Sequence, residues 1–374
     1  MAMREQFDNL VVVKIGSSTL TTKDGAVDEK YISMLCEQIC ALHEEGYPVA
    51  IVTSGAAAAG RERLGFDARP ADIPSLQACA AAGQAALTEV YAKELAKRGV
   101  ACGQVLLTRR DVVDREGYLN ARNTLDRLLE LGAVPVVNEN DTVSVSEFAF
   151  GDNDMLGAIV SALVGASLYI VLSDVEGLYT ADPGVDHNAS LIKEVDAIDQ
   201  RIANMAGGAG SSVGTGGMAS KIRAARAMLA CGIPMVICNG HDPSVLMDIV
   251  HGEDVGTRFE NKTAQSHSSG RKLWIGLAEV PRGVVTVDEG AAKAIVQEGA
   301  SLLPVGIRST KGTYAEGDVI RIVDQNNVEL ARGVTRYSSD DMVRIRGLKL
   351  DVIGRFLPHK EGMPAVHRDE MLVF

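Results

Sequence analysis

Apolar residues in the first 258 positions follow two alternating periods. Residues 10–15, 49–53, 100–107, 134–137, 168–172 and 235–238 are short, β-branched apolar runs. Such runs suit strands buried on both faces of a largely parallel sheet. Longer stretches between them, 28–45, 75–97, 118–131, 153–165 and 218–230, carry apolar residues at helical spacing. Gly46, Gly99, Gly132 and Gly232 follow four of these, where a residue is needed that takes the left-handed C-terminal cap. Strand and helix repeated in this way predict a three-layer α/β/α sandwich with a mostly parallel sheet.

The pattern stops near residue 260. A polar stretch, 261–270, lacks apolar periodicity, and 261–278 reads as a linker. Beyond it, strand-like runs recur at 283–287, 301–304, 306–307, 319–323, 328–334 and 342–345, with one helical stretch near 290–297. This spacing predicts a small β-barrel-like domain. The expected organisation is therefore a first domain over 1–260, a linker over 261–278 and a second domain with a C-terminal tail over 279–374.

Composition narrows the functions. Of 374 residues, 46% are hydrophobic and 23% charged, the proportions of a globular protein rather than a disordered one. Aromatic residues are only 4%, which disfavours broad base-stacking surfaces. The net charge of −12 argues against a general nucleic-acid or membrane-surface binder, since both partners are polyanionic. Residues 279–374 are close to charge balance, so nearly all of that charge sits in the first part. No apolar run reaches the roughly 18–20 residues that span a bilayer. The acidic start lacks the apolar core of a secretion signal. The six cysteines form no CxxC pair and read as reduced thiols, so the expected compartment is the cytoplasm.

Four segments at expected strand ends, where open α/β sheets bind ligands, carry chemistry. Lys14-Ile15-Gly16-Ser17-Ser18 puts a lysine in an apolar strand ahead of a small, hydroxyl-bearing loop. A lysine can snorkel out at a strand end, but the glycine and hydroxyls favour a phosphate site. Thr53-Ser54-Gly55-Ala56-Ala57-Ala58-Ala59-Gly60 runs from strand into helix without bulky side chains. Its N–H groups could cradle an anion, and its small residues also suit close packing. Asn138-Glu139-Asn140-Asp141-Thr142, followed by Gly151-Asp152-Asn153-Asp154, gathers carboxylates and amides. It suits an ammonium-bearing ligand, or a role in orienting lysines or Mg²⁺. Gly214-Thr215-Gly216-Gly217-Met218-Ala219-Ser220-Lys221 leads into a helix with a lysine in its first turn. It resembles a P-loop in chemistry, although the GxxxxGK[ST] spacing is absent. Lys14 and Lys221 together read as a two-lysine phosphate clamp. Ser173-Asp174, after a buried strand, could contact a nucleotide, and the seven histidines form no metal pattern.

Taken in order, these segments resemble the amino acid kinase family, and within it the glutamate 5-kinases, which commonly carry a C-terminal PUA domain. The resemblance covers almost the whole chain. It implies the amino acid kinase fold followed by a small β-barrel-like PUA domain, and transfer of a phosphoryl group from ATP, with Mg²⁺, to the side-chain carboxylate of L-glutamate. It implies catalytic roles for Lys14, Asp154 and Lys221, with Asp154 orienting the two lysines. Ser54, Gly55, Asp141 and Asn153 would hold glutamate. Lys14, Ser173, Asp174, Thr215, Gly216, Gly217, Met218, Ala219, Ser220 and Lys221 would line the ATP site. No direct protein ligand to a metal is implied. Where the family pattern carries threonine, Ser173 and Ser220 keep a hydroxyl. The resemblance further implies proline as a feedback inhibitor, a homo-oligomer (dimer or tetramer), and a glutamyl-phosphate reductase as the consumer of the product. Arg332, Arg336, Arg344 and Arg346 are a candidate basic strip for RNA on the second domain.

Overall fold

The computed structural model describes residues 7–22, 26–144, 153–205, 217–242, 244–261, 281–355 and 357–374. The chain divides into two units, Met1–Gln265 and Ser266–Phe374. The expected linker lies almost wholly outside the described residues.

The apolar runs of the first unit become β1 (Val11–Ile15), β2 (Val49–Val52), β3 (Cys102–Leu107), β4 (Val134–Glu139), β5 (Leu168–Ser173) and β7 (Met235–Asn239). The short strands β6 (Glu194–Val195), at the sheet edge, and β8 (Thr257–Phe259), next to it, escaped sequence reading because two or three residues show no period. The sheet order is β3-β4-β2-β1-β5-β7-β8-β6. All neighbours are parallel except β7 and β8.

The helices are α1 (Ser17–Leu20), α2 (Glu29–Glu44), α3 (Ala56–Arg63), α4 (Ile73–Ala96), α5 (Arg109–Val113), α6 (Arg115–Glu130), α7 (Asn153–Val164), α8 (Gln200–Met205), α9 (Met218–Cys231) and α10 (Val245–Val250). Gly46, Gly99, Gly132 and Gly232 all adopt positive φ at helix ends, as their positions require. Alternation along β1 sorts its side chains between layers. Val11, Val13 and Ile15 join a core with Ile32, Leu35 and Ile39 of α2, Leu87 and Tyr91 of α4, and Leu246 of α10. Lys14 lies on the other face, where α7 packs on β1 and β5, and α9 packs on α7.

The second unit has its own core, including Val285, Ile320, Ile322, Tyr337 and Met371. Its strands are β9 (Gly283–Val287), β10 (Ile307–Gly312), β11 (Val319–Val323), β12 (Glu329–Thr335) and β13 (Val366–Val373), in the order β10-β9-β11-β12-β13. A bridge from Leu302 to Val366 lays the chain before β10 onto β13 and curls the sheet toward closure. Three helices, α11 (Glu289–Glu298), α12 (Ser339–Ile345) and α13 (Leu350–Ile353), accompany it, where the sequence predicted one.

Residues 342–345, expected as a strand, belong to α12. The Asp341 N–H donates to Ser338 Oγ at 3.2 Å as an N-cap, and Met342 and Ile345, three apart, are both buried. Residues 301–304 form only the Leu302 bridge before a 3-10 turn over Pro304–Gly306. Strand β13 was not predicted because His367, Arg368, Asp369 and Glu370 interrupt its apolar pattern.

Candidate active site

The parallel strands deliver their C-terminal ends to one cavity of about 700 Å³. Lys14 reaches it from β1, Ser54 and Gly55 from the end of β2, Asn138 and Glu139 from β4, Asp141 from the loop after β4, and Ser173 and Asp174 from β5. Helix starts contribute Asn153 and Asp154 from α7 and Lys221 from α9.

The floor of this cavity is an ion cluster. Lys14 Nζ lies 2.5 Å from Asp154 Oδ1, and Lys221 Nζ 3.5 Å from Asp154 Oδ2. Ser220 Oγ donates to the same Oδ2 at 2.6 Å. Lys14, Lys221, Ser220 and Asp154 are all buried, Asp154 to 1% exposure. Burial alone would raise the Asp154 carboxyl. The Lys14 and Lys221 charges, with hydrogen bonds from Lys14 and Ser220, outweigh it and hold the group below the usual carboxylate range. Two cations and one anion make the trio net cationic, which suits a polyanionic ligand.

Neighbouring elements hold Asp154 in place. The Tyr169 hydroxyl, on β5, donates to the Asp154 carbonyl at 2.8 Å. Gly157 makes room for it, since a Cβ there would lie 2.2 Å from the Tyr169 oxygen. Gly55, at φ 85°, takes the left-handed conformation that turns β2 into α3, a turn that glycine makes without strain.

A polar wall rises beside the cluster. Asn153 Nδ2 donates to the Thr53 carbonyl (2.6 Å), Asn138 Oδ1 (2.8 Å) and Ser54 Oγ (3.0 Å). Ser144 Oγ donates to Glu139 Oε1 at 2.7 Å. Burial, assisted by the nearby Glu139 charge, raises the Asp141 carboxyl to about 6. Ser173 Oγ donates to Asp174 Oδ1 at 3.1 Å.

Of the site residues expected from sequence, Lys14, Ser54, Gly55, Asp141, Asn153, Asp154, Ser173, Asp174 and Lys221 line this one cavity. Ser220 touches it through Asp154. Gly217 caps α9 and Met218 and Ala219 begin it, but none of the three is among the lining residues. Gly151, Asp152, Gly214, Thr215 and Gly216 lie outside the described residues.

The structure adds Arg61, Arg69 and Gln84 to the picture. Arg61 follows cavity-lining Ala57 by four residues, a spacing that returns a helix to the same face. Arg69 lies in the loop between α3 and α4, where no period marks it. Gln84 is the one amide in an alanine- and glycine-rich run, a signal open to sequence reading. On the second unit, Arg332 donates to Glu329 and lies 5.6 Å over the Phe374 ring, and Arg336 pairs with Glu370. These contacts neutralise two members of the candidate basic strip.

The Amino acid kinase family profile matches residues 9–239, and the PUA domain profile matches residues 283–357. Over 363 residues the chain is 43% identical to the glutamate 5-kinase of Geobacter sp. (strain M21), covering 97% of each chain. Over 362 residues it is 44% identical to the glutamate 5-kinase of Citrobacter koseri, covering 97% of this chain and 98% of that one. A UMP kinase structure from Bacillus anthracis, 16% identical, aligns with 68% of this chain and 97% of its own at a TM-score of 0.48.

Proposed function

The chain belongs to the amino acid kinase family and, within it, to the glutamate 5-kinases, and from that premise we propose how its residues carry the reaction. The enzyme transfers the γ-phosphoryl group of ATP to the side-chain carboxylate of L-glutamate, giving L-glutamyl 5-phosphate and ADP, the first step of proline biosynthesis from glutamate.

A carboxylate nucleophile is already ionised at neutral pH (reference value about 4.3 for Glu), so no general base is needed. The obstacle is that two anions must meet. A glutamate oxygen attacks the γ-phosphorus as the bond to the β,γ-bridging oxygen breaks, and the electron pair leaves with ADP. Lys14 and Lys221 neutralise and align the transferring group. Asp154 sits between the ammonium groups, limits their mutual repulsion and fixes their spacing, with Ser220 holding its second oxygen. Mg²⁺ enters with ATP as the counter-ion of its phosphates and is part of that substrate.

Ser54, Gly55, Asp141 and Asn153 take glutamate, with the Asp141 carboxylate suited to the α-ammonium group. Ser173, Asp174 and the stretch from Thr215 to Lys221 take the nucleotide. The observation that carries this reading is the convergence of both lysines on Asp154 at the floor of a cavity whose walls include Ser54, Asp141 and Asn153.

Further expectations follow from membership: a cytoplasmic homo-oligomer, inhibited by proline, whose labile acyl phosphate passes to a reductase. The decisive experiment supplies ATP, Mg²⁺ and hydroxylamine with candidate acceptors. Acyl hydroxamate formed from glutamate, and not from aspartate or N-acetylglutamate, is the expected result. Turnover that ignores glutamate would overturn the reading.

A further inference from the structure

A hydrogen-bonded chain of side-chain amides runs from α4 to the cavity wall, and main-chain groups fix its polarity. The Glu139 N–H donates to Asn138 Oδ1 at 2.9 Å. Further along, Asn153 Nδ2 donates to the Thr53 carbonyl at 2.6 Å. A main-chain N–H can only donate and a carbonyl can only accept. Asn138 must therefore turn its oxygen toward Glu139 and Asn153 and its nitrogen toward Gln84, whose Oε1 receives it at 2.7 Å.

Asn153 is constrained in the same way. Its nitrogen faces three acceptors, on Thr53, Ser54 and Asn138. Among the described residues its Oδ1 has no hydrogen-bond partner. An acceptor is thus the group that Asn153 offers to the cavity it lines. Gln84 is itself buried, and its Nε2 donates to Thr88 Oγ1, one turn along α4, at 3.1 Å.

We propose that Gln84 is a positioning residue that acts through Asn138 to hold Asn153 with its oxygen toward the cavity, as a hydrogen-bond acceptor for the α-ammonium group of the substrate. This inference rests on the glutamate kinase reading and deepens it. Without an acceptor at position 84, the Asn138 nitrogen is left buried without its partner, and the Asn138 side chain shifts to satisfy it while the Glu139 N–H still holds its oxygen. Asn153, still tied to the Thr53 carbonyl, then loses its well-placed contact with Asn138, and its oxygen is held less firmly toward the cavity. Recognition of the amine weakens, while the lysine clamp and the carboxylate contacts are untouched.

The test uses the full-length enzyme and Gln84→Leu, with Gln84→Met as a longer side chain that likewise lacks an oxygen acceptor. Gln84→Glu keeps an acceptor facing Asn138. Three quantities are measured: KM for glutamate, kcat, and the inhibition constant of glutarate, the same dicarboxylate without the amine. Loss of one hydrogen bond to a charged group should raise KM for glutamate about tenfold in the Leu and Met variants. Their kcat should stay within about threefold and their glutarate inhibition constant within about twofold. Gln84→Glu should restore KM to within about threefold of wild type.

A parallel rise in glutamate KM and glutarate inhibition constant would mark a general packing defect and overturn the proposal. So would an unchanged KM in both variants, or failure of Gln84→Glu to restore it. A wild-type enzyme that makes no hydroxamate from glutamate is a separate result. It removes the activity reading, and this inference with it.

Discussion

Asp154 is ionised where burial opposes charge, because two ammonium groups converge on it. Asp154→Ala leaves those cations without their shared anion, at a cost of about 3–5 kcal/mol for an uncompensated buried charge. Thermal unfolding should show that loss, and ATP, whose phosphates replace the missing anion, should raise the variant's Tm more than that of the wild type. Since the folded Asp154 carboxyl is depressed, its contribution to stability is complete above the ordinary carboxylate value of about 3.9 and is lost as pH falls through the lower folded value. Acid titration of wild type against Asp154→Asn reads that difference directly. Lys14→Ala and Lys221→Ala should each lower kcat by about 10²-fold or more, with glutamate KM moved far less. Normal turnover with raised KM alone would assign both lysines to ground-state binding. Asp141 behaves in the opposite way: its carboxyl is raised to about 6, so below that pH it is protonated and loses its hold on an ammonium group. KM for glutamate should climb about tenfold per pH unit below pH 6, with the limb absent in Asp141→Asn.

At the scale of elements, the crossing of α3 and α4 sets one side of the site, because Gly55 caps the start of α3 and α4 carries Gln84. The two helices touch backbone to backbone. A Cβ on Gly60 would lie 1.8 Å from the Cys79 carbonyl oxygen, and one on Gly83 would lie 1.9 Å from that of Ala56. Neither neighbour can retreat without moving a helix. Gly60→Ala and Gly83→Ala should therefore each destabilise by about 2–3 kcal/mol or more despite alanine's better helix propensity. Denaturant midpoints would measure this. Gly83→Ala should also raise glutamate KM by displacing its neighbour Gln84. The Ala/Gly run after β2 is thus as much a packing surface as a ligand loop. Its small residues were visible in the sequence, but their helical partner was not.

Across the whole molecule, two separate cores divide the work. Every described residue of the cavity belongs to the first unit, and the second unit packs around its own buried Tyr337, Ile320 and Met371. A chain of residues 1–265 should therefore keep glutamate-dependent hydroxamate formation within about threefold of full-length kcat. A collapse of turnover in a folded fragment would show that the second unit supports the site.

The order of strands and helices, the capping glycines and the residues at strand ends follow from the sequence, because each is written in spacing over a few neighbouring positions. Lys14, Asp154 and Lys221 could be singled out in that way, as charged residues set into or beside apolar elements. Their meeting could not. It arises from β1 pairing beside β5, with α7 and α9 packed over that face of the sheet, and depends on contacts between residues 67 and 140 positions apart in the chain. The short strands β6 and β8, the polar β13 and the contact of Gln84 with Asn138 are likewise products of packing. Local pattern records which face of an element is apolar, whereas the choice of partner is made only when the buried faces close on one another and every enclosed polar group must find a mate.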